Sequence, residues 1–392
     1  MEIVFLALLA AVAIFILKMA IGKGKGCIGF FRWLLGIQNY NRESGKKFNP
    51  TVTVVIPAYN EEKHIGQTIE SIKNQTYPVD RILVVDDCST DGTSKIARKA
   101  GVDVIRTPKN SGTKAQAQNH AIQFIATEVI VTIDGDTVLS PDAIEKVLPA
   151  LRDKEVASVC GLVVPQNIKT VWEKARFIEY LYGISIPKGA QDLWGAVLVS
   201  SGCFSAFKTD LLRESEGFPD RTMAEDMDLT WRFLKEGKVI RVVPTAVCFP
   251  LDPHNYETYR KQVERWLRSF LQNISAHGFS LKKNKGLLFF VGWYLIEGLF
   301  LAPSLVLLIY LLYMYWEFSF TPLIFTIILL EIGIVSAVAI WRGRQIGKGW
   351  LALKSIPYYY FIRPVNLYLF LKSVWLEWVK RKRLREWEKG HV

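Results

Sequence analysis

Two patterns of hydrophobic residues divide this chain. Between Phe48 and Lys283, short apolar runs alternate with polar segments of helical length. Outside that region, residues 1–21, 286–316 and 321–341 form long apolar runs with few polar interruptions. Short alternating runs are typical of a water-soluble α/β domain, whereas an apolar run of ~20 residues is long enough to cross a bilayer as a helix. The pattern therefore predicts a soluble domain over residues 48–250, with membrane segments on both sides of it.

The soluble region contains four runs rich in β-branched residues, which predict buried strands. A polar segment of helical length separates each run from the next. Strands that alternate with helices favour a parallel, doubly wound sheet, in which ligands bind at the carboxyl ends of the strands. The predicted strands are 51–57, 81–85, 102–106 and 129–133, and the polar clusters that follow them are Asn60-Glu61, Asp86-Asp87, Lys114 and Asp134-Gly135-Asp136.

The D-x-D sequence formed by Asp134 and Asp136 suits a divalent metal. Two carboxylates at a strand end, across a glycine that lets a ligand approach, match the oxygen ligands of Mg²⁺ or Mn²⁺ on a diphosphate. The alternative is an ordinary turn. Asp86-Asp87 has a similar alternative, as a turn and cap for the next helix, and Lys114 alone is equally explained as a solvated charge. Their occurrence at successive strand ends favours a shared binding site.

A Q-x-x-R-W motif lies between the soluble region and the long apolar runs. Gln262, Arg265 and Trp266 are three and four residues apart, so a helix would place them on one face. Arginine clamps a diphosphate through its planar fork, and tryptophan stacks on a sugar or a base. The competing interpretation is an amphipathic helix whose Arg and Trp contact lipid headgroups. We predict that residues 251–284 form interfacial helices that carry this motif.

Residues 1–21 predict an uncleaved membrane anchor. A cleaved signal peptide is the alternative, but the segment lacks a basic start and a small-x-small cleavage site. Lys18, Lys23, Lys25 and Arg32 follow the apolar stretch, and the positive-inside rule keeps such a flank in the cytoplasm. The expected protein is therefore a multi-pass protein of the cell membrane, with its N-terminus outside and its soluble domain in the cytoplasm.

The C-terminal part of the chain predicts further membrane contacts. Residues 286–316 and 321–341 each predict one transmembrane helix. Residues 351–379 are apolar and aromatic but carry several charges, so we predict an interfacial or re-entrant helix, with a further span as the alternative. Residues 380–392 form a basic tail, which we expect to be cytosolic.

The net charge of +12 does not indicate nucleic-acid binding. The basic residues concentrate beside the apolar runs, where they would meet anionic lipid headgroups, and no nucleic-acid-binding motif accompanies them. The five cysteines are scattered and form no C-x-x-C pair. That pattern favours a reducing cytosolic domain over a disulfide framework or a zinc site. The sequence does not specify an oligomeric state.

Several of these segments together resemble the family 2 glycosyltransferases, which have the GT-A fold. Residues 54–61, residues 84–93 and Asp134-Gly135-Asp136 look like the opening of that domain, and Glu225-Asp226 looks like its E-D catalytic motif. The Q-x-x-R-W motif looks like the signature of the processive, membrane-embedded members, such as hyaluronan, chitin, poly-N-acetylglucosamine and cellulose synthases. The resemblance covers roughly residues 50–275. It implies an α/β fold with a Rossmann-like mixed sheet, joined to transmembrane helices.

The resemblance also implies roles for individual residues. Asp226, with Glu225 beside it, would be the general base of an inverting transfer. Asp134 and Asp136 would hold Mg²⁺ or Mn²⁺ on the donor diphosphate. The residues implied in acceptor binding are Ser201, Gly202, Cys203, Gln262 and Trp266. The residues implied in binding the nucleotide sugar are Ala58, Tyr59, Glu61, Asp86, Asp87, Lys114, Asp134 and Arg265.

The leading functional prediction is transfer of sugar from a nucleotide sugar, such as a UDP-sugar, to a growing polysaccharide that is also exported. The first alternative is a non-processive enzyme that adds one sugar to a lipid acceptor. The second is a non-catalytic membrane scaffold, against which the intact Asp134, Asp136, Asp226 and Arg265 argue. Membrane lipids are expected partners in each case, and nucleic acid in none.

Overall fold

A mixed sheet of eight strands forms the centre of the protein. The computed structural model describes residues 48–301 and 321–384. Within these residues the sheet has the order β3-β2-β1-β4-β7-β6-β8-β5. The strands are β1 (Val52–Ala58), β2 (Arg81–Asp86), β3 (Asp103–Arg106), β4 (Val129–Ile133), β5 (Val138–Leu139), β6 (Val156–Val163), β7 (Phe204–Lys208) and β8 (Val239–Phe249).

The first four strands are parallel, which confirms the prediction from their hydrophobic pattern. β1 pairs with β2 on one side and β4 on the other, and β3 extends the sheet beyond β2. All residues of β4 are buried, as expected for a central strand covered on both faces. β7 then runs antiparallel to β4 and β6, so the second half of the sheet is mixed. The parallel order brings the carboxyl ends of β1, β2 and β4 to one edge, where α/β sheets bind ligands.

Side chains that cap backbone N–H groups start several of the helices. Thr170 and Glu173 form a capping box at the start of α5, and Asn255 accepts a 3.0 Å hydrogen bond from the Thr258 N–H at the start of α9. The α-helices of the described residues are α1 (Ile65–Lys73), α2 (Thr93–Lys99), α3 (Lys114–Ile122), α4 (Ala143–Val147), α5 (Val171–Ser185), α6 (Pro187–Leu193), α7 (Thr209–Glu214), α8 (Glu225–Lys235), α9 (Tyr256–His277), α10 (Lys285–Ile296), α11 (Thr321–Gln345) and α12 (Gly349–Val374).

The long helix α12 lies against the sheet domain. It packs on α5, α9 and α11, and Tyr259 of α9 donates a 2.7 Å hydrogen bond to the Asn366 side chain. Its opposite face is exposed, together with one face of the π-helical turn Trp375–Val379 that follows. We call this exposed surface the apolar stripe. Its large side chains are those of Trp350, Leu353, Phe361, Tyr368, Leu371, Trp375 and Val379.

Residues 375–384, the C-terminal strap, lie against α9. The Oε1 atom of Glu377 accepts hydrogen bonds from Arg268 Nε at 2.7 Å, Gln272 Nε2 at 3.2 Å and the Leu384 backbone N–H at 3.2 Å. Arg268 also donates to the Lys382 carbonyl, and Gln272 to that of Leu384. The strap therefore holds the helix that carries the Q-x-x-R-W motif.

The predicted membrane segments lie partly outside the described residues. Residues 1–21 and 302–316 are outside them, whereas 321–341 and 351–379 fall largely in α11 and α12. Across residues 48–301 and 321–384, the structure contains no helix that combines the length and the apolar character needed to span a bilayer.

Candidate active site

Two aspartates at the end of β2 hold the neighbouring loops together. Asp86 is fully buried and accepts a 2.6 Å hydrogen bond from Arg106 and one of 2.8 Å from the Ser89 backbone N–H. Asp87 accepts from the hydroxyl of Thr107 and from both the backbone and side chain of Ser111, at 2.8–2.9 Å. Both carboxylates therefore bind the protein's own groups, as the turn interpretation of this motif expects. No nucleotide contact is needed to explain their burial.

The loop after β1 faces the same edge. The Ala58 carbonyl accepts a 2.9 Å hydrogen bond from the Asp87 N–H, which ties the ends of β1 and β2 together. The Tyr59 ring is exposed, whereas Glu61 is buried beside the D-x-D turn. A Cβ atom on Gly135 would lie 3.0 Å from Glu61 Cγ, so the glycine permits this close packing. Glu61 thus lies beside the loop that carries the two metal-binding candidates.

Lys114 connects the strand ends to the E-D motif. Its ammonium group forms an ion pair with Asp134, donates a 2.8 Å hydrogen bond to the Gly202 carbonyl and lies 3.7 Å from Glu225. Burial alone would lower the pKa of Lys114, but Asp134 and Glu225 outweigh it and raise that pKa above its ordinary value. A permanently charged lysine therefore lies between the D-x-D sequence and α8.

Asp226 is oriented by two backbone N–H groups. Gly202 donates to its Oδ2 atom at 2.9 Å, and Met227 donates to Oδ1 at 2.8 Å. A Cβ atom on Gly202 would lie 3.0 Å from that Oδ2 atom. Glu225 has a different environment, because burial raises its pKa to about 7 despite the nearby Lys114, with the charge of Asp226 acting in the same direction. The two acidic residues of the motif are therefore chemically distinct.

Ser201, Gly202 and Cys203 form a loop, here called the S-G-C loop, that lies directly beside this pair. Ser201 accepts a 2.8 Å hydrogen bond from Lys188 at the start of α6. Cys203 Sγ lies 3.9 Å from Cys248 Sγ, and both thiols are free. The loop, the E-D motif and Lys114 therefore meet at one point, as the sequence predicts for residues at one sheet edge.

Asp134 and Asp136 follow β4 and fit a divalent cation. They supply hard carboxylate oxygens, and Asp136 is buried. Mg²⁺ is commonly bound by one or two carboxylates together with substrate phosphates, so two aspartates suffice. In the part of the chain that the structure describes, no three His, Cys, Asp or Glu side chains form a ligand set for a metal. A cation bound here would therefore take its other ligands from a donor diphosphate or from water.

The three residues of the Q-x-x-R-W motif contact different groups. Burial lowers the pKa of Arg265, against the charges of Glu225, Asp226 and Asp134, so its guanidinium lies near all three carboxylates. Gln262 and Trp266 instead contact Arg176 on α5. The expected single groove is therefore divided: Arg265 faces the acidic cluster, and the other two side chains face the arginine.

Sequence reasoning missed Arg176 and Asp252. Asp252 follows β8, and burial raises its pKa to about 7, against the attraction of Arg176. Asp136 also contributes to that rise, so Asp252 lies near the D-x-D sequence. Neither residue belongs to a spaced motif, and the contacts of Arg176 with Gln262 span 86 residues of sequence. Only the fold brings them to the site.

Comparisons with known proteins identify the family of the first part of the chain. Residues 53–215 match the family described as glycosyl transferase family 2. This segment is a family 2 glycosyltransferase domain. It contains the strand-end clusters, the D-x-D sequence and the S-G-C loop, while the E-D and Q-x-x-R-W motifs follow it.

Curated relatives of the family 2 domain cover more of the chain. A probable glycosyltransferase of Bacillus subtilis, YdaM, is 30% identical over 258 residues, which are 62% of this chain and 61% of that protein. The hyaluronan synthase of Streptococcus pyogenes is 30% identical over 59% of this chain and 60% of the synthase. The poly-β-1,6-N-acetyl-D-glucosamine synthase of Staphylococcus epidermidis is 26% identical over 64% and 66%. The chain thus spans about three-fifths of the length of the curated relatives it matches.

One solved structure extends the likeness of fold beyond the family 2 domain. The mannosyltransferase PcManGT of Pyrobaculum calidifontis, solved with GDP-mannose and Mn²⁺, superposes with a TM-score of 0.57. The match covers 90% of this chain and 99% of that one, at 21% sequence identity. The likeness confirms the predicted α/β fold with its mixed sheet.

Proposed function

We propose that the protein is an inverting glycosyltransferase that moves a sugar from a nucleotide donor to a growing polysaccharide at the cell membrane. The observation that carries this proposal is the orientation of Asp226. Two backbone N–H groups fix its carboxylate beside Lys114 and Arg265, next to the D-x-D sequence of a family 2 domain. An inverting transfer needs one such base, aimed at an acceptor hydroxyl, and a stabilised leaving group.

We assign binding of the nucleotide-sugar donor to the carboxyl end of β4, where Asp134 and Asp136 lie. Asp134 and Asp136 would hold Mg²⁺ or Mn²⁺, which would neutralise the diphosphate of the donor. Arg265 is half-buried near the same carboxylates and forms no ion pair within the described residues, so it is available to bind the diphosphate. Lys114 would add a second fixed positive charge. A UDP-sugar is the donor class that we propose, since the relatives include a hyaluronan synthase and a poly-N-acetylglucosamine synthase.

Asp226 is a better base than Glu225 in this geometry. Its two N–H contacts hold the carboxylate in one orientation, and a carboxylate retains further lone pairs for an acceptor hydroxyl. Glu225 is instead held near Lys114, and burial raises its pKa to about 7. We therefore assign proton removal to Asp226 and a supporting charge to Glu225.

The acceptor is assigned to the S-G-C loop and the exposed side of Trp266. Trp266 is 37% exposed although Arg176 covers part of its ring, so it still offers surface to a sugar. A polymer acceptor agrees with the two synthases among the relatives. A single transfer to a lipid acceptor is the second candidate, because a site at a membrane surface serves it equally well. Product size separates the two.

Membrane attachment is proposed from the surface of α12. The apolar stripe exposes aromatic and aliphatic side chains along the helix, and Lys354 and Lys380 lie on or beside it. Aromatic and basic side chains together are typical of helices at an anionic lipid surface. The apolar runs at 1–21, 286–316 and 321–341 and their basic flanks carry the rest of the proposal, which is a multi-pass membrane protein whose catalytic domain is cytoplasmic.

The decisive test is transfer by the purified full-length protein in lipid nanodiscs. We would supply Mn²⁺ and a panel of UDP- and GDP-sugars, and measure nucleoside diphosphate release and product size. We expect release with a UDP-sugar and a ladder of products; one product carrying a single sugar would favour the lipid-acceptor alternative. Asp226→Asn should lower release by ~10²–10⁴, whereas the exposed Asp210→Asn should not. No release with any donor, or full release in excess chelator, would contradict the proposal.

A further inference from the structure

Arg176 is a buried arginine that contacts two of the three residues of the Q-x-x-R-W motif. It lies on α5, and its side chain is only 2% exposed. Its Nη2 atom donates a 2.9 Å hydrogen bond to Oε1 of Gln262. Its guanidinium carbon lies 4.4 Å from the centre of the Trp266 ring, within the range of a cation–π contact. One side chain thus touches both the amide and the indole of the motif.

Two acidic side chains on the side of the Arg176 guanidinium away from the motif fix the orientation of its plane. Nη1 donates a 2.6 Å hydrogen bond to Glu179, one turn further along α5. Nε lies 3.7 Å from Asp252 Oδ1, which also accepts a 3.0 Å hydrogen bond from the Tyr180 hydroxyl. Because the donors of arginine have fixed directions in one plane, these contacts determine how the plane meets Trp266.

Stability alone does not account for this arrangement. A buried ion pair is often no more stabilising than well-packed apolar side chains of similar volume. Moreover, Arg176 Nε and Asp252 Oδ2 are buried without hydrogen-bond partners in the described residues, so the cluster is not arranged to satisfy every polar atom. The contacts of Arg176 with Glu179 and Asp252 instead direct its guanidinium toward α9.

We propose that Arg176 is a positioning residue that holds Gln262 and Trp266 in one orientation for the acceptor. Arg265, on the other side of the motif, then remains directed at the acidic cluster and the donor. The kinetic part of this inference rests on the proposed function, whereas its structural part does not. A displacement of about 1 Å at a group that orients a substrate can cost on the order of 10²-fold in rate.

Two substitutions and one matched control test the kinetic part. Arg176→Lys keeps the charge but loses the planar fork, and Arg176→Met also loses the charge. Arg342 provides the control, because it is also buried, stacks on Trp341 at 4.6 Å and donates a 3.0 Å hydrogen bond to Ser185 of the same helix α5. We expect both Arg176 variants to lower kcat by ~10-fold or more with the donor KM unchanged, and Arg342→Met to retain kcat.

A spectroscopic readout tests the structural part without any substrate. The protein would be labelled with 5-fluorotryptophan, and the ¹⁹F resonance of Trp266 assigned from its absence in Trp266→Phe. We expect that resonance to shift in both Arg176 variants and to stay in place in Arg342→Met.

The outcomes separate this inference from the proposed function. If the wild type transfers no sugar, the proposed function fails, and the ¹⁹F shift alone decides whether Arg176 positions Trp266. An unchanged resonance and kcat in Arg176→Lys would overturn the inference. So would a raised donor KM, since that places Arg176 on the donor side. If neither Arg176 variant folds, its role is structural and the inference also fails.

Discussion

Gly202 lies between two charged groups, and only a residue without a side chain leaves room for both. Its N–H binds Asp226 and its carbonyl binds Lys114, and an added Cβ would lie 3.0 Å from the first group and 3.1 Å from the second. Gly202→Ala should therefore displace the carboxylate or the ammonium group and lower kcat by ~10-fold or more. Nucleoside diphosphate release would measure the loss. Gly183→Ala is the control, because a Cβ there meets nothing within 4 Å; an equal loss in both variants would contradict this argument.

Arg265 and Trp266 should give opposite results when binding and transfer are measured separately. Arg265→Ala should weaken nucleoside diphosphate binding, because it removes a charge-assisted contact near the metal site. Trp266→Ala should leave that binding intact and reduce product length, because it removes a surface for the acceptor. Calorimetry with UDP and product sizing would distinguish the two. The reverse pattern would favour contact of this motif with lipid headgroups.

At the scale of elements, a buried cluster joins α8 to α9. Asp228 of α8 is fully buried and accepts hydrogen bonds from Arg221 at 2.7 and 2.8 Å and from His277 of α9 at 2.9 Å. Burial alone would raise the pKa of Asp228, but the hydrogen bonds from Arg221 and His277 outweigh it and lower that pKa to about 2. The E-D motif at the start of α8 and the Q-x-x-R-W motif on α9 are therefore held in a fixed relation.

The pH dependence of this contact follows from the direction of the shift. Because the folded pKa lies below the ordinary value of 3.8, ionised Asp228 stabilises the folded state at neutral pH. The contribution is about 2 kcal/mol and is lost as the pH falls from about 4 to 2. Asp228→Asn should lower the unfolding temperature at pH 7, and the difference should shrink below pH 4.

Scanning fluorimetry across this pH range would test the prediction. Asp103→Asn is a suitable control, since its ion pair with Arg81 is exposed and should contribute about 1 kcal/mol or less. A difference between wild type and Asp228→Asn that stayed constant down to pH 2 would contradict the assignment.

The sequence predicts the first half of the sheet and its loops because these features are local. The runs of β-branched residues at 51–57 and 129–133 predict the strands that the structure places at Val52–Ala58 and Val129–Ile133, and the polar residues after them predict the functional edge. Arg176 carries no such signal, since its partners lie on α9 and after β8. Asp86 shows a second limit of the sequence. Its motif marks the residue as a candidate for the site, but only the fold shows that its carboxylate accepts hydrogen bonds from Arg106 and Ser89.

At the scale of the whole molecule, the proposed topology is testable by labelling. We expect a cysteine introduced at Gly390, in the basic tail, to resist a membrane-impermeant maleimide in intact cells, because positively charged flanks stay inside. A cysteine at Glu2 should react from outside. Labelling at position 390 in intact cells would mean that the 351–379 segment crosses the membrane.

The C-terminal strap makes the helix that carries the Q-x-x-R-W motif depend on the last part of the described chain. The strap supplies acceptors to Arg268 and Gln272, both of which lie in the buried part of α9. A chain that ended before Trp375 would leave the Arg268 guanidinium without Glu377, its partner at 2.7 Å, and with only Glu264 at 3.9 Å. Breaking a buried pair costs up to about 3–5 kcal/mol. A catalytic half excised for crystallography, or transplanted into another membrane scaffold, should therefore be less stable than the intact chain. A stable catalytic fragment would therefore need the strap at residues 375–384 as well as the family 2 domain at residues 53–215.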